Sequence, residues 1–198
     1  MIKKFPTATG AIFADTDKTM EYLYVGDYGQ ENNIKADFLG YNKEINGVEH
    51  KDVDLGYKLV VTISTQKGCP MKCKFCDCPK VKFKGNISVD ELCEETENAI
   101  KFSECKYTRR FNLHLARMGE PAFNYKNIFE FLTDKLEDIV NRNMKADAIH
   151  PVFTTMCPKA VGKDKLQEII YEFCDKIKNE HYKGEAGLQL SINSTDEA

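Results

Sequence analysis

The sequence predicts an α/β protein: a partial β/α barrel with parallel strands, preceded by a short β-rich N-terminal extension. Three observations carry this. From residue 57 onward, short apolar runs alternate with stretches of helical period, which implies parallel pairing through right-handed crossovers. Four such strand-like runs occur, over 58–64, 111–116, 148–155 and 187–192. Residues 1–56 carry no long helical period and are punctuated by Gly26-Asp27, Gly29 and Gly40, the pattern of short strands joined by turns. The chain therefore divides into an extension, 1–56, and a core, 57–198, that forms the first four βα-type units of an incomplete barrel.

In the extension, Tyr22–Val25 and Ile34–Phe38 read as strands that cover the barrel edge or help hold a substrate. The β-branched run over 58–64 suits a buried parallel strand. Ser88-Val89-Asp90-Glu91 has the form of a capping box, and Val89, Leu92, Cys93, Thr96 and Ile100 then follow helical spacing. Ile128, Leu132, Leu136, Ile139 and Val140 predict one face of a single second helix. In the third strand, Pro151 weakens a central position. Leu166, Ile169, Ile170, Phe173, Cys174 and Ile177 mark the clearest amphipathic helix. The last strand, 187–192, would present unpaired backbone groups at its outer edge, so a partner chain or a missing C-terminal segment is expected to complete the barrel.

At 198 residues the chain can bury a substantial core, and 30% charged residues with no apolar run near the roughly 20 residues of a membrane span argue against a membrane protein. Met1-Ile2-Lys3-Lys4-Phe5-Pro6 opens without the apolar region of a secretory signal. The eight cysteines are therefore expected as cytoplasmic thiols and ligands, not as a disulfide framework. A net charge of −3 excludes a polycation overall, yet six lysines and a single acid, Asp77, lie between Lys67 and Lys84. A solvated lysine face and a polyanion-binding surface both remain open for that run.

Cys69, Cys73 and Cys76 stand at C-x3-C-x2-C spacing directly after the first core strand. Thiolates are soft ligands suited to iron–sulfur clusters, and three of them can hold three irons of a cubane and leave the fourth for a small molecule. In parallel sheets and barrels, functional residues collect at the carboxyl ends of strands. Gly119-Glu120-Pro121, Thr154-Thr155 and Ser191 with Asn193 fall at such ends, as the cysteines do. Glu120 supplies acceptors, Gly119 allows close backbone approach, and the hydroxyls and amide suit ribose and carboxylate recognition. Ser, Thr and Asn also serve turn chemistry at strand ends. With Cys78 the three cysteines could instead make a four-thiolate zinc site, for which their spacing is tight. Cys93 and Cys174 read as packing residues. Cys105 and Cys157 have no assigned partner, Cys157 lying near the strand ends. His114, between Leu113 and Leu115, faces either the barrel or a helix, and a satisfied core histidine is the commoner case.

Cys69, Cys73, Phe75 and Cys76 resemble, position by position, the signature of the radical S-adenosylmethionine superfamily. The resemblance implies a radical-SAM-type barrel, a [4Fe-4S] cluster on the three cysteines, and S-adenosylmethionine on the open iron. It further implies cleavage to a 5′-deoxyadenosyl radical with an electron from an external donor. Phe75 would cover the adenine and Glu120 would accept from the methionine amino group. Gly119, Thr154, Thr155, Ser191 and Asn193 would complete the cofactor site. A narrower resemblance, over residues 58–196, is to the radical adenine methyltransferases of ribosomal and transfer RNA. It rests on Ser64-Thr65-Gln66-Lys67-Gly68-Cys69, Met118-Gly119-Glu120-Pro121-Ala122-Phe123-Asn124 and Leu190-Ser191-Ile192-Asn193. That family places a thiol where this chain has Thr62 and another near its C-terminus, whereas no cysteine here follows Cys174. Its helical domain before the barrel is replaced by the β-rich segment. The resemblance thus implies radical initiation and an RNA substrate, and leaves the transfer step open. The alternatives are a radical enzyme acting on a peptide or small molecule, and a non-catalytic iron–sulfur- or zinc-binding fragment that needs a partner chain.

Overall fold

The computed structural model describes residues 2–7, 10–16, 20–26 and 55–192. The strand expected at Ile34–Phe38 and the site residue Asn193 lie outside them. Strands β1 (Ile2–Pro6), β2 (Gly10–Asp15) and β3 (Glu21–Gly26) form an antiparallel meander, and β3 pairs antiparallel with β4 (Lys58–Ile63). A separate two-stranded ribbon, β5 (Gln66–Lys67) with β6 (Gly85–Asn86), closes the cysteine loop at its base. β4 then pairs parallel with β7 (Tyr107–Leu115), β7 with β8 (Lys145–Thr155) and β8 with β9 (Gly187–Leu190). Among the described residues the result is one seven-stranded sheet in the order β1-β2-β3-β4-β7-β8-β9. The described part of the extension thus covers the outer edge of β4.

Among the described residues four helices pack on the sheet's buried face: α1 (Val89–Ser103), α2 (Tyr125–Asp134), α3 (Leu136–Asn143) and α4 (Lys163–Glu172), which winds on in π-helical turns over Phe173–His181. The capping box closes as its sequence predicts: the Glu91 carboxylate accepts from the Ser88 N–H at 3.0 Å, and the Ser88 hydroxyl accepts from the Glu91 N–H at 3.3 Å. The single helix expected over 128–140 is instead two. The chain leaves the helical basin at Lys135, with φ −126° and ψ −38°. Just before it, the Thr133 hydroxyl lies within hydrogen-bond reach of both the Phe129 carbonyl and the Asp134 carboxylate, which compete for its one proton; such local side-chain bonding weakens helices. Both halves still bury their predicted apolar faces in one core.

Strand alternation sorts the side chains. Leu59, Val61 and Ile63 of β4, Phe111, Leu113 and Leu115 of β7, and Phe153 of β8 face the helices and are fully buried. Thr62, Asn112, His114 and Thr154 take the opposite face, so His114 points away from the helices. Pro151 sits inside β8 one residue before β9 begins to pair, at Val152 opposite Gly187, where β8 is still an edge on that side. Among the described residues no helix is long and apolar enough to cross a membrane.

One buried carboxyl ties this scaffold to the cysteine loop. Glu95 of α1 is 2% exposed and accepts from the Ser64 N–H at 2.8 Å, while its second oxygen has no hydrogen-bond partner. The Ser64 hydroxyl in turn donates to the Glu21 carbonyl at 2.6 Å and accepts from the Glu21 N–H at 3.0 Å, so α1, β3 and the loop's first residue share one chain of contacts. Burial holds the Glu95 carboxyl well above the usual carboxylate range, with Glu91, Asp15 and Glu94 adding to it against the Ser64 N–H.

Two outcomes follow. Phe153 packs its ring 5.7 Å from Phe129 and 5.3 Å from Phe173, so Phe153→Ala should cost about 3–5 kcal/mol in urea unfolding. Because Glu95 has a raised folded pKa, its favourable contribution is complete below the ordinary carboxylate pKa and is lost as pH rises through the folded value. Glu95→Gln should therefore flatten the decline in stability between mildly acidic and neutral pH, measured as the urea midpoint against pH.

Candidate functional site

The carboxyl ends of β4, β7, β8 and β9 surround one cavity of about 220 Å³. Cys69, Cys73, Phe75 and Cys76 line it from the loop after β4, Gly119 and Glu120 from the loop after β7, Thr154 and Thr155 from β8, and Ser191 from the end of β9. Every site residue expected from sequence within the described residues therefore borders the same space.

The cysteine loop and the β7 loop are fastened together. The Met118 carbonyl accepts from the Thr65 N–H at 2.8 Å and the Gln66 N–H at 3.2 Å, and the Met118 sulfur accepts from the Gly68 N–H at 3.2 Å. The fully buried Gln66 side chain accepts from the Glu120 N–H at 2.9 Å and donates to Asn86 at 2.7 Å. Gly119 owes its identity to this contact. With φ +103°, a Cβ there would stand 2.7 Å from the Gln66 Cβ and 2.8 Å from its N. Its close approach is to Gln66. Asn124 adds a second clasp, donating to the Thr65 and Ile87 carbonyls, each at 2.8 Å.

Glu120 is buried with its carboxylate held from three sides. One oxygen accepts from the Thr155 hydroxyl at 2.5 Å and the Ala122 N–H at 3.1 Å, and the other accepts from the Met156 N–H at 3.1 Å. Thr155 thus positions Glu120, whereas Thr154 donates to the Gln189 side chain at 3.2 Å. Ser191, exposed at the mouth, is anchored through its N–H to the Thr155 carbonyl at 2.9 Å. Phe75 stands at the rim with 74% of its surface open to solvent. Arg117 also borders the cavity and pairs with Glu21 at 2.5 Å, which joins β3 to the site.

The donor set suits a soft metal centre. Burial pushes the Cys69 thiol up, with Cys73 and Cys76 adding like-charge repulsion that a bound cation would relieve. The Cys73 sulfur lies 3.8 Å from the Met156 sulfur. Cys78 borders the cavity too, its N–H donating to the Cys76 sulfur at 3.4 Å, and burial with its Cys76 contact pushes its thiol up to about 12. Among the described residues, no three His, Cys, Asp or Glu side chains converge into a ready coordination shell. Cys93 and Cys174 pack against the core, and Cys157 borders a neighbouring cavity after β8. Gln66, Met118 and Asn124 lay inside the motifs read from sequence, but their roles depend on contacts across the two loops that spacing does not reveal.

No protein-family model matches the chain. It is similar to a probable dual-specificity RNA methyltransferase RlmN of Leptospira interrogans, 36% identical over 89 residues, which are 45% of this chain and 24% of that protein. A dual-specificity RNA methyltransferase RlmN of Campylobacter hominis is 30% identical over 112 residues, 57% of this chain and 30% of that protein. The chain thus spans less than a third of the length of these curated relatives. In structure it is similar to a radical SAM methyltransferase from Sphaerobacter thermophilus, with TM-score 0.54, 15% identity, and coverage of 95% of this chain and 44% of that one. The chain is a sequence relative of the RNA methyltransferases named RlmN and shares its fold with a radical SAM methyltransferase.

Proposed function

We propose that this chain is a radical S-adenosylmethionine enzyme that modifies a base of RNA, methylation being the form that its relatives' names carry. The observation behind this is the single cavity that collects C-x3-C-x2-C cysteines and a pre-placed carboxylate from four strand ends. Cys69, Cys73 and Cys76 would hold a [4Fe-4S] cluster. Bound together, cluster and S-adenosylmethionine supply a carbon radical by one-electron cleavage of the sulfonium, the electron coming from an external donor. The chain's own residues bind and orient. Glu120 has one carboxylate oxygen with a single protein donor, Met156, so that oxygen retains acceptor capacity for the methionine ammonium. Thr155 and Met156 hold the carboxylate still, and Thr154, Ser191 and Asn193 are assigned to the rest of the cofactor. Phe75 would cover the adenine. Thr62 leaves no thiol at that position, and no cysteine follows Cys174, so the chain's residues account for radical initiation and leave the transfer step open.

Exposed Leu190, at 52%, and Ile192, at 78%, support a further segment or a partner chain packed beside β9. A cluster on reduced thiols fits the cytoplasm.

The test is anaerobic reconstitution with iron and sulfide, followed by reductant and S-adenosylmethionine and a search for 5′-deoxyadenosine by mass spectrometry. Formation is expected, with loss in Cys73→Ala and a drop of about tenfold or more in Thr155→Val, which frees the Glu120 carboxylate. Cys78→Ala should leave the iron content unchanged. A chain that takes up zinc on all four thiols and no iron would sink the proposal in favour of a four-thiolate metal site.

A further inference from the structure

Residues 68–84 form a closed loop. The β5–β6 ribbon joins its ends, and the Lys84 N–H donates to the Lys67 carbonyl at 2.8 Å. Its two limbs touch at Gly68, where φ is +73° and an added Cβ would stand 2.8 Å from the Lys82 carbonyl oxygen and 2.9 Å from the Phe83 Cα. Lys82 and Phe83 therefore flank the limb that carries the cysteines. The inner side of the loop borders the cavity, and its outer side is strongly basic. Lys67 is neutralised by Glu91, and the loop's one acid, Asp77, is taken by Lys80. Lys72, Lys74 and Lys82 are exposed without an ion-pair partner among the described residues. Next to Lys82 in the chain, the Phe83 ring is 42% exposed and takes no part in the cavity lining, where Phe75 stands. A lysine face that serves solubility alone gives no reason for an exposed ring beside it.

We infer that the outer face of this loop docks a single-stranded segment of RNA beside the cavity mouth, with Lys72, Lys74 and Lys82 on phosphates and Phe83 stacked on a base. The identity of the polymer rests on the RNA reading above; the charge and the ring do not. Phosphates supply the complementary charge, and binding releases their counterions. Unpaired strands expose base faces to aromatic side chains, whereas duplexes bury them. The loop that would bind the cofactor then also holds the substrate, so docking brings a splayed base toward the cavity.

The test is fluorescence anisotropy of the full chain with a short labelled RNA free of secondary structure, across a salt series. Affinity should fall steeply with salt. The triple variant Lys72→Glu/Lys74→Glu/Lys82→Glu should weaken binding at least about tenfold, and the triple Gln variant should lower the log–log salt slope by about 2, near 0.7 per lost phosphate contact. Phe83→Ala should weaken binding about fivefold or more with the slope unchanged. Lys176→Glu, on the exposed surface of the π-helical segment, should behave as wild type, and far-ultraviolet circular dichroism checks that each variant folds. RNA should also slow iodoacetamide labelling of Cys69, Cys73 and Cys76. Wild-type affinity in both triple variants, equal affinity for duplex RNA of the same sequence, or preference for phosphatidylserine vesicles over RNA would overturn the inference. If 5′-deoxyadenosine forms while the triple variants bind RNA normally, docking fails alone. If RNA binds as described and no 5′-deoxyadenosine forms, the radical reading fails alone.

Discussion

The Met118 carbonyl is the point on which the site depends. It receives the N–H groups of Thr65 and Gln66, and the sulfur of the same residue receives that of Gly68. Together with the Gln66–Glu120 and Asn124–Thr65 contacts, these bonds fasten the loop after β4 to the loop after β7. With them, the cysteines and Glu120 belong to one body. The contact also explains why a glycine follows Met118: the Gln66 backbone and side chain occupy the space that any other side chain would need. Fastening by backbone donors costs little conformational entropy beyond what the two strand ends have already lost.

Around that fastening, the polar groups of the site satisfy one another before any cofactor arrives. A buried carboxylate is costly unless hydrogen-bonded, and Glu120 has donors on both oxygens from Thr155, Ala122 and Met156. Glu95, one layer below, is handled differently: one oxygen serves Ser64, the other is left bare, and the group stays protonated to higher pH. The two buried acids thus have opposite designs. One is wrapped by hydrogen-bond donors, and the other is desolvated, which raises its pKa and favours the neutral form.

Much of this was legible in the sequence. Ser88 and Glu91 announce the start of α1 because a capping box is a local object, decided by residues three apart. The strand ends were legible because β-branched runs and helical periods alternate, and parallel topology then sends every candidate motif to one rim. What escaped was non-local or marginal. The split at Lys135 interrupts an unbroken apolar face, which periodicity reads as one helix. The close approach at Gly119 is to Gln66, which no spacing rule brings against it from another loop. His114 needed register to decide its face: once Leu113 and Leu115 join the core, it has to point the other way. Pro151 in β8 was a warning that register resolves, since its missing donor falls where β9 has not yet begun.

The antiparallel pairing of β3 with β4 has a topological consequence. A ring of strands closes when its last member pairs with its first, and in the parallel set that first member is β4. Both edges of β4 are taken, by β3 on one side and β7 on the other. Among the described residues the free edges are those of β1 and β9, so the parallel set does not close into a cylinder of its own. Among those residues it is therefore left open at β9, and only that edge can lengthen the rim that carries the site.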